Sequence, residues 1–230
     1  MLFNKKPHKK NMNLMDGLML KHFAKLKFSL LTMAALLVSM PVISTATANP
    51  GLMGKSLTKA KPITDSQKQK AKNYFTDTVL TTQSGEKLRF YSDVLDGHVV
   101  MLNVIYTSCQ GACPMLTQKL SEVSKQLGDQ FGNNIRFVSV SNDPERDTPE
   151  ALAKFAAKQN VNMAGWTFLT GPKDEVDGII TKLGLYTSNF QEHKSTILIG
   201  NTRTGHWKKL QPNLPHQGIA LQLQELAAEG

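Results

Sequence analysis

From Tyr74 onward the apolar and polar positions change period in a regular order. "HVVMLNVIY" (98–106) is an almost continuous apolar run and predicts a strand buried on both faces. "CPMLTQKLSEVSKQLG" (113–128) places apolar residues at 116, 120, 123 and 127 and stops at Gly128, which predicts a helix. "IRFVSVS" (135–141) alternates as a strand. "TPEALAKFAAKQ" (148–159) predicts a helix capped by Thr148 with Pro149 in its first position. A strand at 166–171 and a helix at 173–184 follow. "STILIGN" (195–201) and "GHWKKLQ" (205–211) predict a strand pair turning at "NTRTG", and 217–229 a last helix. Ahead of this series, "VLTTQSGEKLRFYSDV" (79–94) predicts a hairpin around Ser84-Gly85.

Alternating strands and helices, closed by an antiparallel pair and a helix, imply an α/β fold with a mixed sheet covered on both faces. A thioredoxin-like topology fits that order, with the hairpin at its N-terminal side. The N-terminus obeys a different pattern. Residues 28–43, "FSLLTMAALLVSMPVI", are mostly apolar, follow Lys21, Lys25 and Lys27, and precede "ATA" at 46–48. This predicts a signal peptide over 1–48, cleaved before Asn49. The run is shorter than the roughly 20 residues of a membrane span, and an uncleaved anchor is the alternative. Starts at Met12, Met15 or Met19 would give a more ordinary leader. Residues 49–72 are polar, lysine-rich and broken by Gly and Pro, and predict a flexible tether to a domain over 73–230.

The net charge of +9 belongs largely to the leader. Residues 49–230 hold 20 basic and 17 acidic side chains, a net of +3. No basic stripe interleaves with aromatics, so nucleic acid is not an expected partner.

Cysteine occurs only in "YTSCQGACPM" (106–115). Cys109 falls in the turn after the buried strand, and Cys113 precedes Pro114 at the start of the next helix. Open α/β sheets bind ligands at the carboxyl ends of their strands, and a helix N-terminus favours a thiolate. Three readings stay open. A structural disulfide is permitted in an exported protein, but so short a loop makes a poor staple. A redox couple is feasible if a tight turn brings the two Cα atoms within about 4.4–6.8 Å. Half of a soft-metal site is the third, since Cu(I) favours thiolates and Zn(II) accepts them. That site would require a histidine from elsewhere. His8 and His22 lie in the leader, and His98 starts the strand at the end away from the cysteines. His206 and His216 lie after the late turn and at the last helix. His193 lies in "NFQEHKS" (189–195) just before a strand. Met115 and Met163 carry sulfur as well, with core packing the expected role of each.

"YTSCQGACPM", "FVSVSNDPERDTPEALAKFA", "WTFLTG" and "EHKSTILI", in that order and spacing, resemble the Sco/SenC family, over Tyr74 to the C-terminus. The family comprises thioredoxin-like copper-binding proteins linked to assembly of the copper centre of cytochrome c oxidase. The resemblance implies Cys109, Cys113 and His193 as ligands of copper, Cu(I) and also Cu(II). It implies the copper-bearing oxidase subunit as recipient, with other periplasmic copper chaperones or thioredoxin-like reductants as further partners. It places the chain in the periplasm or on the outer face of the cytoplasmic membrane. The chain departs from many members at Gln110, where proline is usual, and at Lys194, where Ser or Thr is usual. Asp143 of "DPERDTP" is a candidate to border the site. A metallochaperone is thus one expectation. A thiol–disulfide oxidoreductase with Cys109 attacking and Cys113 resolving is its alternative. A peroxidase would need an arginine at the thiolate, and the nearest in sequence are Arg89 and Arg136.

Overall fold

The computed structural model describes residues 60–187 and 195–230. Among the described residues there are seven strands: β1 (Val79–Thr82), β2 (Lys87–Arg89), β3 (Val99–Ile105), β4 (Ile135–Ser141), β5 (Trp166–Thr170), β6 (Ile197–Asn201) and β7 (His206–Leu210). Five α-helices accompany them: α1 (Asp65–Phe75), α2 (Ala112–Leu127), α3 (Pro149–Lys158), α4 (Lys173–Lys182) and α5 (His216–Ala227). The strands form one sheet in the order β2-β1-β5-β4-β3-β6-β7. β3, β4 and β5 run parallel, whereas β6 is antiparallel to β3, β7 to β6, and β1 to β5. The mixed sheet expected from the sequence is therefore the observed one.

All seven residues of β3 are buried because helices cover both faces of the sheet. Val99, Met101 and Ile105 pack with side chains of α2, α3 and α5. Val100, Leu102 and Val104 point the other way, into a core shared with α4 and Phe75 of α1. Each such residue contributes about 1.5–3 kcal/mol by leaving water, and the alternation of a strand delivers them to two cores at once. α2 buries Cys113, Leu116, Leu120, Val123 and Leu127, the i, i+3, i+7 stripe of an amphipathic helix. It ends at Gly128, whose φ of +52° suits a residue without Cβ. Thr148 Oγ1 accepts the N–H of Ala151 at 3.3 Å, and Pro149 opens α3 as expected.

Two expectations are corrected. The β2 strand stops at Arg89, and Phe90–Leu95 forms a turn of π-helix instead of continuing the hairpin. Asp93 causes the break: its carboxylate accepts the Arg89 N–H at 2.8 Å and pairs with the Arg89 guanidinium at 2.7 Å. Phe90, Tyr91, Val94 and Leu95 then face the core together. The second correction concerns the tether. Residues 65–72 are helical, opened by a capping box in which Thr64 Oγ1 accepts the Gln67 N–H and Gln67 Oε1 accepts the Thr64 N–H. The helix is anchored by Phe75, which packs on Tyr91 and Trp207, and by Lys68–Asp96 and Lys72–Asp77 ion pairs. With Phe75 its only buried residue, α1 shows no apolar stripe to distinguish it from a linker. The expected leader, 1–48, and residues 49–59 lie outside the described residues, as do His193 and Lys194. No helix among the described residues is long and apolar enough to cross a membrane.

Candidate functional site

β3 ends at Ile105, whose carbonyl accepts the Asn142 N–H at 2.7 Å and so aligns the ends of β3 and β4. The chain then turns through Tyr106 to Cys109, and the Cys109 N–H returns to the Tyr106 carbonyl at 3.2 Å. A buried carboxylate fixes this turn. Asp147 Oδ1 accepts the Thr107 hydroxyl at 2.6 Å and the Thr107 N–H at 3.1 Å, while Oδ2 accepts the Ser141 hydroxyl at 2.6 Å. Burial raises the Asp147 pKa, and the Ser141 and Thr107 donors oppose that rise. The loop "DPERDTP" does border the site, but through Asp147. Asp143 is instead paired with Arg146 at 2.9 Å and receives no contact from the cysteine turn among the bonds described.

The thiols sit at the N-terminus of α2. Cys109 Sγ accepts the Cys113 N–H at 3.4 Å, so a sulfur does the work of a capping oxygen. Pro114 lies in the first helical turn, where its missing N–H costs no hydrogen bond. The two sulfurs have unlike surroundings. Cys109 is half-buried. Burial pulls its thiol up, but the N–H groups of Cys113 and Gly111, the Tyr106 hydroxyl and the Cys113 thiol together hold it below the ordinary value. Cys113 is 2 % exposed, and burial pushes its thiol up to about 12, aided by the neighbouring Cys109. The Tyr106 hydroxyl is pushed up to about 12, first by its hydrogen bond to Cys109. No disulfide joins the two cysteines. The thiolate therefore forms more readily at Cys109 than at Cys113, which stands behind it.

Other expected residues fall elsewhere. His98 Nδ1 lies 2.7 Å from the Asp96 carbonyl at the start of β3, and His206 Nδ1 lies 2.8 Å from Glu229 Oε1 beside α5. Arg89 is held by Asp93, and Arg136 stands near His98, away from the thiols. Met163 packs against the core as expected, whereas Met115 is 74 % exposed and does not. No group of three His, Cys, Asp or Glu side chains converges among the described residues. The pair Cys109–Cys113 supplies two soft donors, the set that suits copper or zinc but leaves the coordination open for a third ligand. Asp147, Tyr106 and Thr107 were not singled out from the sequence. Only the coincidence of "YTSC" and a second acid in "DPERD" hinted at them.

Beside Cys109 a groove of about 290 Å³ runs between α2 and α3, lined by Thr107, Pro114, Lys154, Phe155, Lys158 and Gln159. A second hollow of about 220 Å³ lies at the β6–β7 turn, lined by Ile63, Gln67, Phe75, Tyr91, Thr202 and Trp207.

Comparison with known proteins agrees with this architecture. The chain is 36% identical to the SCO1 protein homolog of Bacillus subtilis over 89 residues, 39% of this chain and 45% of that protein. The matched stretch spans about half the length of the curated relatives found first. Among solved structures it is similar to BsSco, a member of the Sco family of cytochrome c oxidase assembly proteins in which a disulfide switch was identified. That match has a TM-score of 0.58 at 25% identity, covering 68% of this chain and 94% of the other. It is also similar to Bradyrhizobium japonicum ScoI with copper bound, with a TM-score of 0.54 at 23% identity, covering 64% of this chain and 96% of the other. The sheet and its flanking helices are thioredoxin-like, as in those structures. The SCO1/SenC family model matches residues 65–226, from the first residue of α1 to the last turn of α5, and the chain belongs to that family.

Proposed function

We propose that the chain is a copper metallochaperone that holds one copper through Cys109, Cys113 and His193 and hands it to the copper centre of cytochrome c oxidase. The observation that carries this reading is the pair of unlike thiols on one helix N-terminus. Cys109 is half-exposed and its thiol is held below the ordinary value; Cys113 is buried directly behind it. Soft thiolates select Cu(I). A half-exposed first ligand is the one a recipient's donor can displace, while the buried second ligand retains the ion until exchange is under way. Copper is bound in the related ScoI structure, and BsSco is a member of the Sco family of cytochrome c oxidase assembly proteins, which supports copper as cargo and the oxidase as client here. Export to the periplasm or the outer face of the cytoplasmic membrane, directed by residues 28–43, completes the reading. It is tested by mass spectrometry of the exported protein, and full-length chain in the cytosol would refute it.

The same thiol asymmetry favours one other reading, a thiol–disulfide oxidoreductase with Cys109 as attacking sulfur and Cys113 as resolving sulfur. His193→Ala separates the two. Under the chaperone reading this variant loses any Cu(II) form and fails in oxidase assembly, with partial rescue by added copper, while its disulfide still cycles. A fully functional His193→Ala chain alongside an inactive Cys109→Ser chain would move the assignment to the oxidoreductase.

A further inference from the structure

The groove between α2 and α3 opens on the accessible sulfur. Its floor is apolar, formed by Phe155, which is almost fully buried, and its wall on the α2 side is Pro114. Gln159, which also lines it, is held by Gln118, whose Nε2 donates to both the carbonyl and Oε1 of Gln159 at 2.9 Å. Over it stand Lys154 and Lys158, one turn apart on α3 and hence on the same helical face, with Cβ atoms roughly 6 Å apart. Both are exposed, and neither has a hydrogen bond or ion pair among the described residues. Lys68, Lys72, Lys125, Lys173 and Lys208 each meet a carboxylate; Lys61, Lys70, Lys87 and Lys182 form no ion pair among the described residues either, but only Lys154 and Lys158 line this groove.

The neighbouring acids do not cancel this charge. Asp147 is buried and turned to Thr107 and Ser141, and Asp143 is taken by Arg146. Glu150 lies a turn ahead of Lys154 and feels its charge, but forms no ion pair with it and is held first by backbone N–H and the Thr148 hydroxyl at the start of α3. No acid stands one turn ahead of Lys158, where the residue is Lys154. On α2, Met115 is exposed and lies three residues before Gln118, which makes those two neighbours on the helix surface. An exposed, flexible thioether of this kind is a common element of protein-binding surfaces.

We propose that this groove docks a partner protein through a short acidic segment. Two of its carboxylates meet Lys154 and Lys158, and an apolar side chain between them rests on Phe155 and Pro114. The segment would bring its sulfur-bearing or metal-receiving site to Cys109 from the side of α3. This deepens the proposed function, on which it rests for the role of Cys109, and names how the client is recognised.

The test has two arms, both on the full chain purified in detergent. The first uses small disulfides and needs no client. The Cys109 thiolate attacks one sulfur of the probe and breaks its S–S bond; the departing thiolate takes a proton from water. Cys113 then gives up its proton, attacks Cys109 and releases the second probe thiol, so that the probe is reduced and the cysteine pair oxidised. Wild-type protein should react faster with anionic glutathione disulfide than with cationic cystamine. Lys154→Glu/Lys158→Glu should shift that ratio at least tenfold toward cystamine, and Lys154→Ala/Lys158→Ala should give an intermediate ratio. A ratio unchanged within twofold in both variants overturns the proposal. The second arm measures association of the copper-loaded chain with the soluble copper-receiving domain of the oxidase. The charge-reversed variant should bind at least tenfold more weakly at low salt with a flatter salt dependence, because exposed charge pairs are screened. Equal binding by wild type and variant overturns the groove as the docking site. A charge effect in the first arm, with no wild-type binding in the second, keeps the groove and rejects the oxidase as client.

Discussion

At the start of β3, Phe75, Tyr91 and Trp207 enclose a cavity of about 220 Å³; at its end, Thr107, Pro114 and Phe155 border a groove of about 290 Å³ beside Cys109. The two hollows differ little in size. They differ in what their walls leave unsatisfied. Around the first, Lys68 and Lys72 are neutralised by Asp96 and Asp77, and Trp207 lies flat over Gly200, where a Cβ would overlap its ring. That region uses its side chains to fasten α1 to the sheet. Around the second, two exposed lysines form no ion pair among the described residues, a methionine nearby is bare, and one thiol is held below its ordinary value. Reactive potential, not volume, marks the functional end of the strand.

The comparison breaks most decisively with paired substitutions at the two ends. Cys109→Ser or Cys113→Ser should take the reduced chain from about one bound copper to none retained against a competing chelator, because a single thiolate loses the soft-donor preference. Thermal stability should change little for Cys109. Phe75→Ala should do the reverse: about 3 kcal/mol of stability lost, in line with buried Phe→Ala changes, with copper stoichiometry intact. Metal analysis and a denaturant melt on each variant decide the matter. Loss of copper in a folded Phe75→Ala chain would show that the two ends are not independent.

A subtler contrast sets two carboxylates against each other. Asp147 fastens the cysteine turn, accepting from Thr107 and Ser141 in a buried setting. Asp77 fastens the other end, accepting the Ser92 N–H and hydroxyl at 2.8 Å each and pairing with Lys72, with more access to water. Removing an acceptor strands its donors, and the cost grows with burial. Asp147→Ala should therefore cost about 2–3 kcal/mol and Asp77→Ala about 1 kcal/mol, read from urea melts. Only Asp147→Ala should alter the alkylation rate of Cys109. An equal change in that rate for both variants would mean that the loss is global softening.

The strands and helices around the site were legible because each carries a strong period or a cap: β3 as a continuous apolar run, α2 as a stripe, α3 by Thr148-Pro149. Even the burial of Cys113 follows from extending the stripe 116, 120, 123, 127 back by three residues. What escaped was set by single polar contacts without periodicity. Asp93 ends the hairpin through the Arg89 N–H, and the Thr64–Gln67 box starts α1 within a stretch that reads as linker. The choice between Asp143 and Asp147 turns on which carboxylate the Thr107 hydroxyl meets. That long-range contact spans 40 residues, beyond any local pattern.

The smallest expected effect tests the sulfur chemistry directly. In metal-free reduced protein, iodoacetamide should label Cys109 alone, since Cys113 is buried and its thiol is pushed up to about 12. Because the thiolate is the reacting form, the rate should rise with pH and level off with a midpoint below the ordinary thiol value of 9.0, the direction set by the donors around Cys109. One of those donors is Tyr106, whose hydroxyl is itself pushed up to about 12, first because it donates a hydrogen bond to this sulfur. Tyr106→Phe removes that hydrogen bond and keeps the ring. The midpoint should move up, and the rate at pH 7 should fall about fivefold, which corresponds to one hydrogen bond worth about 1 kcal/mol. The plateau rate at high pH should rise slightly or stay level, since a thiolate freed from a donor is at least as nucleophilic. A fall of the plateau with an unmoved midpoint would show that Tyr106 only shapes access to Cys109. The preference for the thiolate would then rest on the N–H groups of Cys113 and Gly111 at the start of α2.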